Sequence, residues 1–482
     1  MNGYLVVIVV YSILMVGIGF LLTKKVTGAT DFFTAGRSLS SRMLFTTLLA
    51  ANIGAGSTVG VAGLAYKYGI SAWWWIGGSG LGSLILAFWV GPKIYQIAKL
   101  KQYLTLGDYL EERYSKYFRS FISLLLGIGT LAIFGGQLIG IAWILKTVAE
   151  VPKEVGVILG AGVVVLYSVA GGLLSAAGVN LIQVVIKLVG FILAGIAAYM
   201  SVGGFSGIID KSTAIMGANS TQQAQYFSWD GIGLTVIIGF FLMMTPSFFV
   251  SPGLIGKVYG AESSEAVKKG TAWNGIAQLI FGFLIVFLGI STYVMFPDLA
   301  NPELALPTAI VELMPFWISA LALAAIFSAE VSTADAVLYM IAGAWANDIY
   351  KGILNPTVST EKLLFVSRVV MLIGGIFGIL LALKLPDIIS SLTIFYTLMS
   401  VSLTVPLLFG LFTSVADSRG AILSSAVGIL VTLYFQSSYS ITKGIWILNP
   451  QSTGILISFF VMLSYISYKK LCRGNQFEKE NS

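Results

Sequence analysis

The sequence predicts an all-α membrane protein of about thirteen transmembrane helices, built as two five-helix repeats of opposite membrane sense with flanking helices at either end. Three observations predict it. Of the 482 residues, 57% are hydrophobic and only 10% charged, with a mean hydropathy of +0.91, so no soluble domain is visible. Apolar segments long enough to span a bilayer recur along the whole chain. A polar, Gly/Ser-rich stretch at 201–230 divides the centre into matching halves.

The apolar segments fall at roughly 3–22, 43–65, 71–97, 117–146, 155–170, 173–200, 231–252, 271–296, 308–350, 363–384, 387–413, 419–438 and 452–468. The first is read as a retained span: it lacks a basic leader and a small-residue cleavage site, and its positive charges, Lys24 and Lys25, follow the apolar run. The positive-inside rule then places the N-terminus outside and, after an odd number of crossings, the C-terminus in the cytoplasm. Loop charge agrees. The loops expected inside carry Lys24, Lys25, Arg37, Arg42, Lys93 to Arg119, Lys257, Lys268, Lys269, Lys351, Lys362, Arg368 and Lys469 to Lys479, whereas those outside hold Lys67, Lys146, Lys153, Lys211, Lys384 and Lys443.

Because these basic residues sit in short loops, the net charge of +7 marks membrane orientation and gives no sign of a nucleic-acid partner. The single cysteine, Cys472, excludes an internal disulfide, and the absence of histidine excludes a His-ligated metal site and the commonest proton carrier.

The halves run over 43–200 and 231–413, between an N-terminal helix and loop at 1–42, the linker at 201–230, and two terminal helices and a tail at 414–482. An odd number of spans in each half makes the second half enter the membrane in the opposite sense. Inverted repeats of this kind place a site at mid-bilayer where the first helix of each half is broken. The matching interruptions are Asn52-Ile53-Gly54-Ala55-Gly56-Ser57 in the first half, and Thr245-Pro246-Ser247 with Ser251-Pro252-Gly253 in the second.

The span from Leu321 to Tyr350 carries Ser328, Glu330, Ser332, Thr333 and Asp335 in its middle, which hydrocarbon tolerates only when they face a partner or a cavity. Helical spacing puts Ala329, Ser332 and Thr333 on one face. Two hydroxyls and a backbone carbonyl there can offer oxygens to a small hard cation if a second segment supplies the rest.

Several motifs in order carry a resemblance. Asp31-Phe32-Phe33-Thr34-Ala35-Gly36-Arg37-Ser38-Leu39 precedes the first broken helix; Thr105-Leu106-Gly107-Asp108-Tyr109-Leu110-Glu111-Glu112-Arg113-Tyr114 forms a charged loop; Tyr167 to Gln183 reads YSVAGGLLSAAGVNLIQ; and Ser332-Thr333 stands at a fixed distance before Asp348-Ile349-Tyr350. In these the chain resembles the sodium/solute symporter family over most of its length.

The resemblance implies a five-plus-five inverted-repeat fold and a secondary active transporter, with no enzyme activity. It implies a multi-pass protein of the cell membrane that imports a small organic solute with sodium. The sodium ligands it implies are the carbonyls of Ala50, Ile53 and Ala329 with the hydroxyls of Ser332 and Thr333. Such neutral oxygens strand no full negative charge when the ion leaves.

Where the family has Thr-Asp, this chain has Val179-Asn180, so an amide replaces a carboxylate on the ion's exit route; Asn180 and Asp335 are the residues expected to line it. The expected solute contacts are Asn52, Gly54, Gly56, Ser57 and Thr58, with Trp73 from the Trp73-Trp74-Trp75 run and Met244, Ser247 and Phe248, among neighbours Met243 and Phe249. Poor in charge and rich in aromatic surface, this set fits an amino acid, organic acid or betaine-like solute better than a sugar. Two alternatives remain: proton coupling through Asp335 or Glu330 on the same fold, and a non-transporting solute sensor, which usually carries a soluble extension that the short tail after Lys469 does not provide.

Overall fold

The computed structural model describes residues 3–23, 28–170, 173–218, 220–438 and 445–480. The charges of Lys24 and Lys25 and the Gly171-Gly172 pair of the YSVAGG motif lie outside the described residues, as does the side chain of Tyr167.

Within them the chain is helical from end to end, and the regular secondary structure outside helices is a single β-bridge between Leu39 and Ala261. Ten stretches are long and apolar enough to cross a membrane. They are fewer than the thirteen segments expected because Gly3–Ile18 is a shorter apolar helix, the segments at 43–65 and 71–97 contribute to one continuous run, Ala55–Lys101, and the segment at 155–170 is not among them.

The first expected break is present. Helix Ser41–Asn52 ends at Ile53, whose φ −94 and ψ 94 are extended; a short turn Ala55–Ser57 follows before helix Val59–Tyr68 resumes. The second half differs from expectation at Pro246. Helix Leu234–Val250 continues through it, and the Ser247 hydroxyl donates back to the Met243 carbonyl at 2.7 Å. The break comes at Ser251, where an extended residue precedes Pro252 at the start of helix Pro252–Tyr259. Proline is at home in a first helical turn, where its missing N–H leaves nothing unpaired.

The bridge joins the two broken helices. The Leu39 N–H donates to the Gly260 carbonyl at 2.9 Å, and the Glu262 N–H donates to the Leu39 carbonyl at 3.0 Å. The turn that makes this possible has Gly36 in the left-handed region at φ 60, and it aims the Arg37 guanidinium at the carbonyls of Tyr259 and Tyr103. The Asp31–Leu39 motif therefore ties the start of one broken helix to the end of the other.

Helix Ser41–Asn52 is packed between Leu173–Val202, Ser264–Met295 and Phe316–Ala342. The approach of Leu173–Val202 to Phe316–Ala342 depends on Gly190, where a Cβ would stand 2.6 Å from that of Ala325. Small residues at such crossings let membrane helices come close. The linker at 201–230 holds two short helices, Gly204–Met216 and Thr221–Tyr226.

Candidate functional site

The first break frees backbone carbonyls, and the middle of Phe316–Ala342 meets them. The Ser332 hydroxyl lies 2.8 Å from the Ala50 carbonyl and 3.2 Å from that of Ala329, while the Thr333 hydroxyl lies 3.3 Å from the Ala50 carbonyl and 3.2 Å from that of Ile53. All five residues are buried. Gly54 allows this approach, since a Cβ on it would stand 2.4 Å from the Thr333 hydroxyl. The result is a cradle of neutral oxygens at the first break.

A cation of the chain's own reaches into it. The Lys187 ammonium, fully buried, donates to the Ala50 carbonyl at 3.1 Å, the Ile53 carbonyl at 3.3 Å and the Ser332 hydroxyl at 2.6 Å. Two unit charges 4 Å apart repel by about 4 kcal/mol even at an effective dielectric of 20. A second monovalent cation therefore does not share the cradle with this ammonium.

The acidic residues nearby have other neighbours. Glu330 accepts from the Thr58 hydroxyl at 2.9 Å, which turns Thr58 away from the neighbouring cavity. Asp335 is buried and within the electrostatic reach of Lys257. Asn180 stands on the same helix as Lys187, two turns away on the same face, with its carbonyl oxygen buried and unpaired.

Beside the cradle lies a cavity between the two breaks. Of the expected solute contacts, Asn52, Gly54, Gly56, Ser57, Met244, Ser247 and Phe248 line it, whereas Thr58 and Trp73 do not. Trp73 instead donates to the Leu279 carbonyl and packs its ring against Trp229 and Phe283. Its neighbour Trp75 faces the cavity, edge-on to Phe240 and Tyr396.

Gln137, which the sequence reading missed, also lines the cavity and accepts from the Ala55 N–H at 2.8 Å. A lone amide within an apolar span was the available signal. Lys257 lines this cavity and a second one bounded by Thr105, Leu106 and Asp348; the two share Gly253, Lys257, Ala336 and Met340.

Buried polar groups hold the two ends of the helix assembly. At one end Arg119 pairs with Asp108 at 2.9 Å, Glu111 at 2.5 Å and Asp348 at 2.8 Å, and Asp348 also accepts from the hydroxyls of Thr105 and Ser123. At the other, Glu303 accepts from the Trp143 indole and from the Ile388 N–H, both at 2.7 Å, and burial pushes its carboxyl up to about 7.

The sequence model described as the sodium:solute symporter family matches residues 32–428. The chain belongs to this family. Among its relatives are the sodium/pantothenate symporter of Escherichia coli (strain K12), 28% identical over 89% of this chain and 90% of the relative, and the sodium/glucose cotransporter of Vibrio parahaemolyticus, 26% identical over 90% and 84%. The fold is similar to that of a solved Na+-coupled sialic acid symporter in a substrate-bound outward-open state, with a TM-score of 0.80 and 22% identity over 96% of this chain and 98% of that one. Membership of the sodium:solute symporter family makes this a multi-pass membrane transporter rather than an enzyme.

Proposed function

We propose that this chain imports a small organic solute by alternating access, with sodium as the coupling ion. The observation that carries this reading is the convergence of the Ala50 and Ile53 carbonyls with the Ser332 and Thr333 hydroxyls at the first break. Sodium enters as a substrate, and Asn180 and Asp335 line its way out. Each positive charge moved inward contributes about 2.3 kcal/mol per 100 mV of membrane potential.

The solute binds in the cavity between the two breaks, an amino acid, organic acid or betaine-like compound. Lys257 and Asn52 favour a carboxylate on it, and Trp75, Phe248 and Tyr396 favour an apolar body. The chain sits in the cell membrane with its N-terminus outside, its C-terminus in the cytoplasm, and the segments 43–200 and 231–413 as inverted repeats. In that orientation the Arg119 cluster is the cytoplasmic gate and Glu303 the external latch.

A proton-driven form of the same cycle is the second reading, favoured by the Lys187 ammonium in the cradle. Uptake by reconstituted vesicles decides between them. A sodium gradient at fixed pH drives accumulation under the first reading. Indifference to sodium with dependence on a pH gradient establishes the second.

A further inference from the structure

Lys187 stands in the middle of Leu173–Val202, a helix that is otherwise strongly apolar. A charged side chain there is costly unless it is fully partnered. An ammonium has three N–H donors, and Lys187 meets three oxygens: the carbonyls of Ala50 and Ile53 and the hydroxyl of Ser332. They are the oxygens that would hold a sodium ion. No ion pair takes Lys187 away from them among the described residues; Glu330, the acidic group whose field reaches it, is itself hydrogen-bonded to Thr58.

Position on the helix supports the same placement. Asn180, Gln183 and Lys187 are buried at spacings that put them on one face, and Gly190, one turn on, lets that face close against Phe316–Ala342. The close crossing brings the lysine's reach to the break.

We propose that Lys187 is the tethered cation of this cradle: its ammonium binds where sodium would, joining the broken helix to Phe316–Ala342, and sodium enters only as Lys187 withdraws. The proposal rests on the symporter reading for what the cradle is for, and it makes Lys187 the residue that sets the cradle's preference for an external cation. Bound, the ammonium makes contacts across the same two elements that a sodium ion would bridge. Withdrawn, it leaves those oxygens free for sodium, and the two cations alternate.

The test compares sodium binding by the purified full chain and its Lys187→Met variant, with choline replacing sodium at constant ionic strength. Radioactive sodium binding and sodium-induced thermal stabilisation are the readouts. At least tenfold tighter sodium binding by Lys187→Met is expected, because the competitor is gone. Equal sodium affinity in the two proteins overturns the proposal.

If the variant does not fold, the unaltered protein is treated with a small amine-reactive reagent and the Lys187 peptide is followed by mass spectrometry. Increased labelling in sodium over choline supports displacement, and a protein that sodium neither stabilises nor makes more reactive at Lys187 overturns it. Stabilisation by sodium with Lys187 labelling unchanged overturns it. Failure of solute uptake under every gradient would remove the symporter reading and leave this binding comparison intact.

Discussion

The Ser332 hydroxyl stands 2.8 Å from the carbonyl oxygen of Ala50, a residue 282 positions earlier in the chain. That contact joins the break in the first helix of one half to the polar middle of Phe316–Ala342, and most of the functional reading follows from it. Replacing Ser332 and Thr333 together by alanine removes both hydroxyls and leaves the backbone oxygens. The sodium concentration for half-maximal uptake should rise at least tenfold while the protein still reaches the membrane; an unchanged sodium requirement would remove the cradle from the mechanism.

Gly54 is a position where the two elements leave no room for a side chain. A methyl group there meets the Thr333 hydroxyl at 2.4 Å and the Gln137 amide oxygen at 2.7 Å, so Gly54→Ala must push the helices apart. Overpacking of this kind costs about 1–3 kcal/mol. Transport should fall below a tenth of the unaltered rate, and a Gly54→Ala protein with unaltered uptake would show that the cradle is looser than these distances.

Arg119 is the cation that neutralises buried Asp348. Removing one partner of a buried pair strands the other charge, at about 3–5 kcal/mol. Arg119→Ala should lower thermal stability by several degrees, and the double variant with Asp348→Asn should recover part of the loss. A double variant no more stable than Arg119→Ala would show that the Asp348 charge is not what the arginine compensates.

Glu303 provides a pH dependence whose sign can be worked out. Burial raises its folded-state value to about 7, above the ordinary carboxylate range, so the folded protein binds this proton more tightly than the unfolded chain. The stability it contributes is present below about pH 4.5 and declines as pH rises towards about 7, by at most about 3 kcal/mol. Glu303→Gln should flatten that portion of the stability curve measured in detergent. A curve with the same slope in both proteins would assign the dependence to another group.

Arg37 ties the Asp31–Leu39 turn to the carbonyls of Tyr259 and Tyr103. Arg37→Ala should slow uptake severalfold with little change in the sodium requirement, because it loosens the link between the broken helices without touching the cradle. A shift in sodium requirement as large as that of the Ser332 and Thr333 double variant would contradict this separation.

What the sequence determined by itself is whatever local spacing can express. Apolar runs of spanning length fixed the all-helical membrane fold, Asn52 to Ser57 marked the first break, and the three-residue offset from Ala329 to Ser332 placed both on one face. Tertiary structure decided what depends on how separate helices rotate and cross. It chose Trp75 over Trp73 for the cavity, because only one face of that helix turns inward. Of the two interruptions marked in the second half, it kept the one at Ser251 and not the one at Pro246, because Pro252 opens a new helix while Leu234–Val250 continues through Pro246. And it brought Lys187 to the Ala50 and Ile53 carbonyls, since the length of a lysine side chain and the closeness allowed by Gly190 act between helices. No periodicity within Leu173–Val202 specifies which oxygens on another helix its lysine will meet.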